Sequence, residues 1–375
     1  MFNVINKGRI SYLYNDFVVQ MLKDKNRKPF FQQVKEILFL SLEIKYWPHN
    51  YFKYGGYKKN ITIDEIKLYM TGLIFSDFRR EFLNDIRYAA FADDKFLFHK
   101  CMSGANIPTA KFINVISYNH LTKQATGIDG ENALTVLDSI SSDAIVIKPA
   151  IDSQQGAGVY VVNVTCGENK KFEISGVLYN SMELIDKIFM NSKCVYLIEE
   201  KIKQHPFNMK LHPHSVNTVR IDTLLTKNGE IIINSAYLRI GRNGRNVDNW
   251  SGKLGGIGVN INIINGELSE CGVDYSRNVY LSHPDTHIDF FGLTIPYWND
   301  IVDLVKKAAL ELPKLRSLGW DVALTENGPI LLEVNRDYDI LAQQTCTQAF
   351  GKNKAFYNEL INYADTTKYC KNFVL

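Results

Sequence analysis

The stretch that most constrains this chain is residues 144–162, AIVIKPAIDSQQGAGVYVV. A β-branched run of Ile145, Val146 and Ile147 carries Lys148 to a strand end, a polar turn with Gly156 and Gly158 reverses the chain, and a second apolar strand begins. Glycines in such a hairpin let backbone N–H groups close on an anion with no Cβ in the way. A lysine beside them supplies a flexible point charge suited to phosphate. The order is neither the GxxxxGK[ST] of a P-loop nor a GxGxxG opening a helix. It reads as a triphosphate-closing loop on a β-hairpin, although a surface hairpin with an edge lysine has the same local pattern.

A second stretch, residues 318–335, LGWDVALTENGPILLEVN, supplies what the first lacks. One strand holds Asp321, the turn Glu326-Asn327-Gly328-Pro329 reverses the chain, and the return strand ends in Glu333 and Asn335. Alternation puts Glu333 and Asn335 on one face and Leu332 and Val334 on the other. Close pairing would bring Asp321 to the face of Glu333 and Asn335. Two carboxylates and an amide oxygen form an oxygen-only set that suits Mg²⁺ shared with phosphates. Arg220, in HSVNTVRIDTLL, lies among Val219, Ile221 and Leu224, where an arginine is costly unless aimed at an anion. Arg239 and Arg242, interleaved with Asn246 and Asn249, extend a positive rim suited to a carboxylate or sugar acid.

Taken in order, DKFLFHK (94–100), VIKPAIDSQQGAGV (146–159), LIEEKIKQHP (197–206), HSVNTVRI (214–221), the glycine-rich run 255–261 and GWDVALTENGPILLEVN resemble the ATP-grasp superfamily. D-alanine–D-alanine ligases and glutathione synthetases belong to it. More narrowly, residues 94–342 resemble the sugar-transfer-associated ATP-grasp proteins found with surface-polysaccharide genes. The resemblance implies an α+β ATP-grasp fold with ATP between two subdomains and Mg²⁺ on Asp321, Glu333 and Asn335. It places Lys148 and Lys100 on the nucleotide, and the loop 152–158 (Ser153, Gln154, Gln155, Gly156, Gly158) over its β- and γ-phosphates. The hinge, through Glu199, Glu200 and the backbone at Ile202, would read adenine and ribose. Arg220 and Arg239 would face the transferring phosphate, and Arg242, Asn249, Gly255 and Gly256 the acceptor, the glycines letting a bulky ring approach the backbone. The implied reaction is carboxylate activation to an acyl phosphate and amide formation with an amine, one partner being a sugar acid or amino sugar of a capsule or O-antigen, free or glycan-linked. A sugar phosphotransferase of the same fold and a non-catalytic nucleotide-binding subunit are the rival readings. Past Asn335 the chain has Arg336-Asp337-Tyr338-Asp339 where many ATP-grasp ligases carry a proline and glycine, which leaves the acceptor open.

At 375 residues the chain can build two or three domains, and 46% hydrophobic with 22% charged residues is ordinary globular composition. A formal charge of +3 with no arginine-rich block argues against a nucleic-acid partner. The scattered cysteines have no CxxC and read as reduced thiols. His205, His212 and His214 have neither HExxH nor finger spacing, which argues against zinc. His283 and His287 make an i, i+4 pair with Asp285 in SHPDTHIDF, but the segment resembles a substrate-side loop, which argues against a metal there. No signal-peptide core or apolar run near 20 residues is present, so the expectation is a cytoplasmic enzyme.

The division expected is a helical region at 1–94, a small subdomain with the glycine hairpin at 95–198, and a large subdomain with the metal site and a C-terminal helix at 199–375. Helical periods run over 30–44, over 64–75 behind a Thr62–Glu65 capping box, over 78–91 and over 297–315. The aromatic and lysine-dense segment 45–59 admits two readings: an acceptor lip or peripheral membrane contact, or a connection whose rings pack locally.

Overall fold

The computed structural model describes residues 18–44, 49–119, 121–122, 124–151, 158–165, 170–190, 195–252 and 255–364. The expected loop residues Ser153, Gln154, Gln155 and Gly156 lie outside them. The α+β class holds. Two antiparallel sheets of seven strands each make the body, with helices against their outer faces.

The first sheet contains β1 (Phe112–Asn119), β2 (Gln124–Gly127), β3 (Ala144–Pro149), β4 (Tyr160–Thr165), β5 (Lys171–Ile174), β6 (Val177–Tyr179) and β7 (Tyr196–Glu200), in the order β2-β1-β7-β3-β4-β5-β6. Period-two alternation sorts β3 cleanly. Ile145 and Ile147 are fully buried against the helices Ala133–Ser139 and Ser181–Phe189, while Val146 and Lys148 point the other way. The hairpin from β3 to β4 turns through Gly158, whose φ of 74° suits glycine.

The second sheet contains β8 (Thr218–Leu225), β9 (Ile231–Ile240), β10 (Ile257–Ile261), β11 (Leu268–Val273), β12 (Val279–Tyr280), β13 (Ser317–Thr325) and β14 (Gly328–Asn335), ordered β12-β11-β10-β9-β8-β13-β14. Val219 and Ile221 of β8, with Leu318, Trp320, Val322 and Leu324 of β13, pack on the amphipathic helix Trp298–Glu311. The intervening residues Thr218, Arg220, Gly319 and Asp321 are therefore left for the opposite face.

The expected long helices are shorter than their periods. The Thr62–Glu65 capping box forms, but its helix runs only from Ile63 to Lys67 and a new one begins at Gly72. Residues 78–91 break at Asn84, whose side chain donates to the carbonyls of Ser317 (2.8 Å) and Arg336 (2.7 Å). Those tertiary bonds outweigh the helical period. The helix Lys95–Gly104 sends Phe98 and Met102 into the core of the second sheet, so it packs there although it opens the stretch 95–198. In the segment 45–59, of which 49–59 is described, Tyr51 and Tyr57 are buried with Leu40 and Ile66. The described rings of this segment pack locally. Among the described residues, no helix is long and apolar enough to cross a membrane.

Candidate functional site

The inward faces of the two sheets enclose a cavity of about 740 Å³. On the first-sheet wall, Val146, Lys148, Val161 and Glu199 project inward. Lys148 Nζ lies 2.7 Å from Glu199 Oε2, both largely shielded from water. Register explains the pair: Val146 sits opposite Glu199 on β7, and Lys148 is two residues further along the same face of β3. Glu200 also borders the cavity, but its carboxylate is held outward by Lys111 Nζ at 2.6 Å and Ser142 Oγ at 2.7 Å, which together depress its pKa. Lys201 and Ile202 complete this edge.

The facing wall is a row of cross-strand neighbours on β9, β8, β13 and β14: Tyr237 opposite Arg220, Arg220 opposite Asp321, Asp321 opposite Glu333. Arg220 grips Asp321 through Nε–Oδ1 (2.5 Å) and Nη2–Oδ2 (3.0 Å). Arg239 Nη1 reaches the same Oδ2 at 3.0 Å, and its Nη2 donates to Asp248 Oδ1 at 2.7 Å. Asp248 is anchored in turn by the backbone N–H (3.0 Å) and hydroxyl (2.5 Å) of Thr218. Burial raises the Asp321 pKa to about 6 against the pull of both guanidiniums. Glu333 stays below its ordinary value, because Lys95, Arg220 and Lys148 together outweigh its burial.

A register shift lies between Asp321 and Val322, which face Glu333 and Leu331 respectively. The extra residue, Leu332, lines the cavity instead of joining Val334 in the core, which corrects the strict alternation expected there. Past the bulge, alternation keeps Glu333 beside Asn335, whose Nδ2 donates to Glu333 Oε1 at 3.3 Å. Asp321, Glu333 and Asn335 thus converge as expected, and their hard oxygen donors fit a magnesium ion.

Three expected contacts fall elsewhere. Lys100 is absent from the cavity lining and stands over the rings of Phe96 (5.4 Å) and Phe112 (5.2 Å). The lysine that reaches the site is Lys95, about 140° around the same helix at 100° per residue, with Nζ 4.0 Å from Glu333 Oε2. Burial pulls its pKa down. Its signal was the N-cap Asp94, which accepts from Phe96 and Leu97 N–H and so fixes where the helix starts and which face Lys95 takes. Arg242 is buried away from the cavity, with Nη1 3.2 Å from Asp274 Oδ2 and 2.8 Å from Tyr280 Oη. Gly255 and Gly256 face the protein's own backbone: a Cβ would run into the carbonyls of Trp250 and Ile240 respectively. Asn249 does line the cavity, with Asn246, Asp248, Trp250 and Ser251 of the same loop.

Sequence reasoning also missed the polar floor beneath this wall. Asp222, fully buried, accepts from Ser235 Oγ (2.5 Å), Gln343 Nε2 (2.7 Å) and Asn234 Nδ2 (2.8 Å), and burial lifts its pKa to about 6. Gln343 and Tyr338 line the cavity above it. The continuation 336–339 is likewise tied down, Asp337 by Arg79 (2.8 Å) and by Arg80.

Comparison with known proteins places this geometry. The family model for sugar-transfer associated ATP-grasp proteins matches residues 76–354. Among solved structures, the D-alanine–D-alanine ligase of Helicobacter pylori is similar at 14% identity and a TM-score of 0.42, over 76% of this chain and 62% of that one. D-alanyl-alanine synthetase A of Vibrio cholerae gives 16% and 0.40, over 73% and 66%. An ADP complex of N5-carboxyaminoimidazole ribonucleotide synthetase gives 10% and 0.39, over 67% and 46%. The chain thus spans about half to two thirds of these structures' length, and the assignment rests on the family model. A search of curated proteins found no significant match. With three quarters of its length matched, and with the cleft between two antiparallel sheets already in view, the chain belongs to the sugar-transfer-associated ATP-grasp family.

Proposed function

We propose that this protein is an ATP-dependent, ADP-forming ligase that activates a carboxylate as an acyl phosphate and couples it to an amine. The observation that supports the reading is the cleft itself: Lys148 on one wall faces Arg220, Asp321, Glu333 and Asn335 on the other across about 740 Å³. Lys148, oriented by Glu199, is placed to hold a nucleotide phosphate, and Lys95 to neutralise charge from the opposite side. The hinge at Glu199, Glu200 and Ile202 borders the same space, where its backbone would read the adenine edge. Asp321, Glu333 and Asn335 would hold magnesium, which supplies charge neutralisation between β- and γ-phosphates.

Arg220 and Arg239 keep their positions through Asp321 and Asp248, so their donors are pre-aimed before charge develops on a transferring phosphoryl group. Asn246, Asn249, Trp250 and Tyr338, which line the cavity, set amide groups beside aromatic surface, a combination that suits a hydroxyl-rich ring. The family context supports a sugar acid or amino sugar of a surface glycan as one partner, in a cytoplasmic setting. Incubation with ATP, Mg²⁺ and uronic acids, with and without amines, tests the reaction by mass spectrometry. The expected result is an amide product with stoichiometric ADP. A product heavier by ~80 Da, one phosphoryl unit, formed without any amine would instead identify a phosphotransferase.

A further inference from the structure

We infer that the chain carries a second cation site, remote from the magnesium ligands, made by His212, His283 and Asp285. The ligand atoms of these residues all lie within 4.8 Å of one another. They come from the end of the helix Pro206–Leu211, where His212 is the C-cap, and from the turn after β12. Ligands on a tetrahedral zinc ion with bonds of about 2.05 Å sit about 3.3 Å apart. Closure therefore asks for shifts on the order of 1 Å.

Hydrogen bonding settles which nitrogen of each ring is offered. His283 Nε2 donates to the Gly241 carbonyl at 2.8 Å, and its Nδ1 faces the N–H groups of Asp285 (3.3 Å) and Thr286 (3.4 Å) and the Thr286 hydroxyl (3.3 Å). Nδ1 therefore carries a lone pair, and an ion there would displace these long contacts. Burial lowers the pKa of His283, which keeps the ring neutral as a ligand must be. His212 Nε2 is 3.0 Å from the Arg245 carbonyl, so it too is the protonated nitrogen. Its Nδ1 faces Asp285 Oδ2, 3.8 Å away, and a proton or a metal ion on that nitrogen is needed to keep the two from repelling each other. Backbone carbonyls on the far nitrogens are the outer partners that metal-bound histidines characteristically have.

The site is also built to last. His212 and His283 are almost fully buried, while Asp285 is partly exposed and gives an ion a way in. Bonds from His283 N to Ile288 O (2.9 Å) and His287 N to His283 O (2.8 Å) hold the turn. Gly241 has no room for a side chain, since a Cβ would stand 2.7 Å from His212 Cδ2. Two imidazoles and one carboxylate favour zinc over magnesium or calcium. Asp285 Oδ2 also accepts from Asn243 N at 2.6 Å. The ion would thus pin residues 241–245, from which the chain runs directly into the cavity lip carrying Asp248, Asn249 and Trp250.

Full-length protein stripped with a chelator and titrated with zinc by calorimetry should bind one ion per chain. Cobalt(II) substitution should give the intense visible bands of a four-coordinate site. Because both histidines are buried, the variant of choice is Asp285→Ala, with His212→Gln beside it and the folding of each checked by circular dichroism. Each should weaken zinc by more than the 10–100-fold that outer partners cost. Unchanged affinity in both would place the ion on other histidines or cysteines and overturn the site. So would nuclear magnetic resonance showing His212 protonated on both nitrogens in zinc-treated protein, since a proton would then fill the gap. Hydrogen exchange across 241–252 should slow on zinc addition, and unchanged exchange with zinc bound would overturn the link to the cavity lip.

Discussion

The two walls of the cleft solve the same problem, a buried charge, in different ways. On the first sheet, Lys148 and Glu199 form a pair 2.7 Å long that joins no second ion pair among the described residues. On the second, Arg220, Asp321, Arg239 and Asp248 interlock, each inner member holding two neighbours. A pair can be exchanged as a unit. In a chain of pairs, removal of one member strands others, and the effects do not add. The difference fits the roles proposed: the first wall needs one movable cation, whereas the second must stay fixed while charge builds on it.

The strongest way to break the contrast is Asp321→Ala, which leaves the buried Arg220 guanidinium without its carboxylate and Arg239 with Asp248 alone. Stability should fall by roughly 3–5 kcal/mol in urea unfolding, with turnover lost as well. A cost below about 1 kcal/mol would mean the chain of pairs does not act as one.

Arg242 sharpens it from outside the cleft. Since it is buried on Asp274 and Tyr280, Arg242→Ala should cost about 3 kcal/mol of stability and leave the KM for the carboxylate near wild type. A raised KM in a protein of unchanged stability would return Arg242 to the acceptor pocket.

Asp222 tests the floor by pH. Burial lifts its folded pKa to about 6 from an ordinary 3.8. Its contribution is therefore fully present below the unfolded value and is lost as pH rises through about 6. Whatever fixed penalty Asp222→Asn carries, the variant should gain on wild type by about 2 kcal/mol between pH 4 and 6. A difference flat with pH would mean the carboxyl is ionised throughout.

The smallest effect is expected at the isolated pair. Lys148→Met with Glu199→Gln removes both charges together, so the fold should keep its stability while ATP affinity drops about tenfold, or 1.4 kcal/mol. Calorimetry showing unaltered affinity would take Lys148 off the nucleotide. Loss of the fold would show that this wall, too, is more than a pair.

Some of this was legible before any coordinates. Lys148 at a strand end, Glu333 and Asn335 on one face, and the order of motifs follow from alternation and turn chemistry, which are local properties of the chain. Lys95 and Lys100 sit in one short helix, and only the packing of Phe98 and Met102 decides which lysine faces inward. Arg242 reads in the sequence as part of an acceptor-facing rim because its partner Asp274 lies on another part of the chain. Likewise the glycines at 255 and 256 were read as room for a ligand, whereas the room is taken by the carbonyls of Trp250 and Ile240.

The sequence by itself determined the α+β class, the glycine hairpin, the oxygen-ligand strand and the family these compose, because strand period and turn residues act over a few positions. Tertiary structure alone decided the rest. The row Tyr237–Arg220–Asp321–Glu333 depends on the register of four strands, and the bulge at Leu332 changes which side chains share a face. The meeting of His212 with His283 and Asp285 depends on how distant segments fold back on one another. Periodicity says which way a side chain points along its own strand; only packing and register say what it will find there.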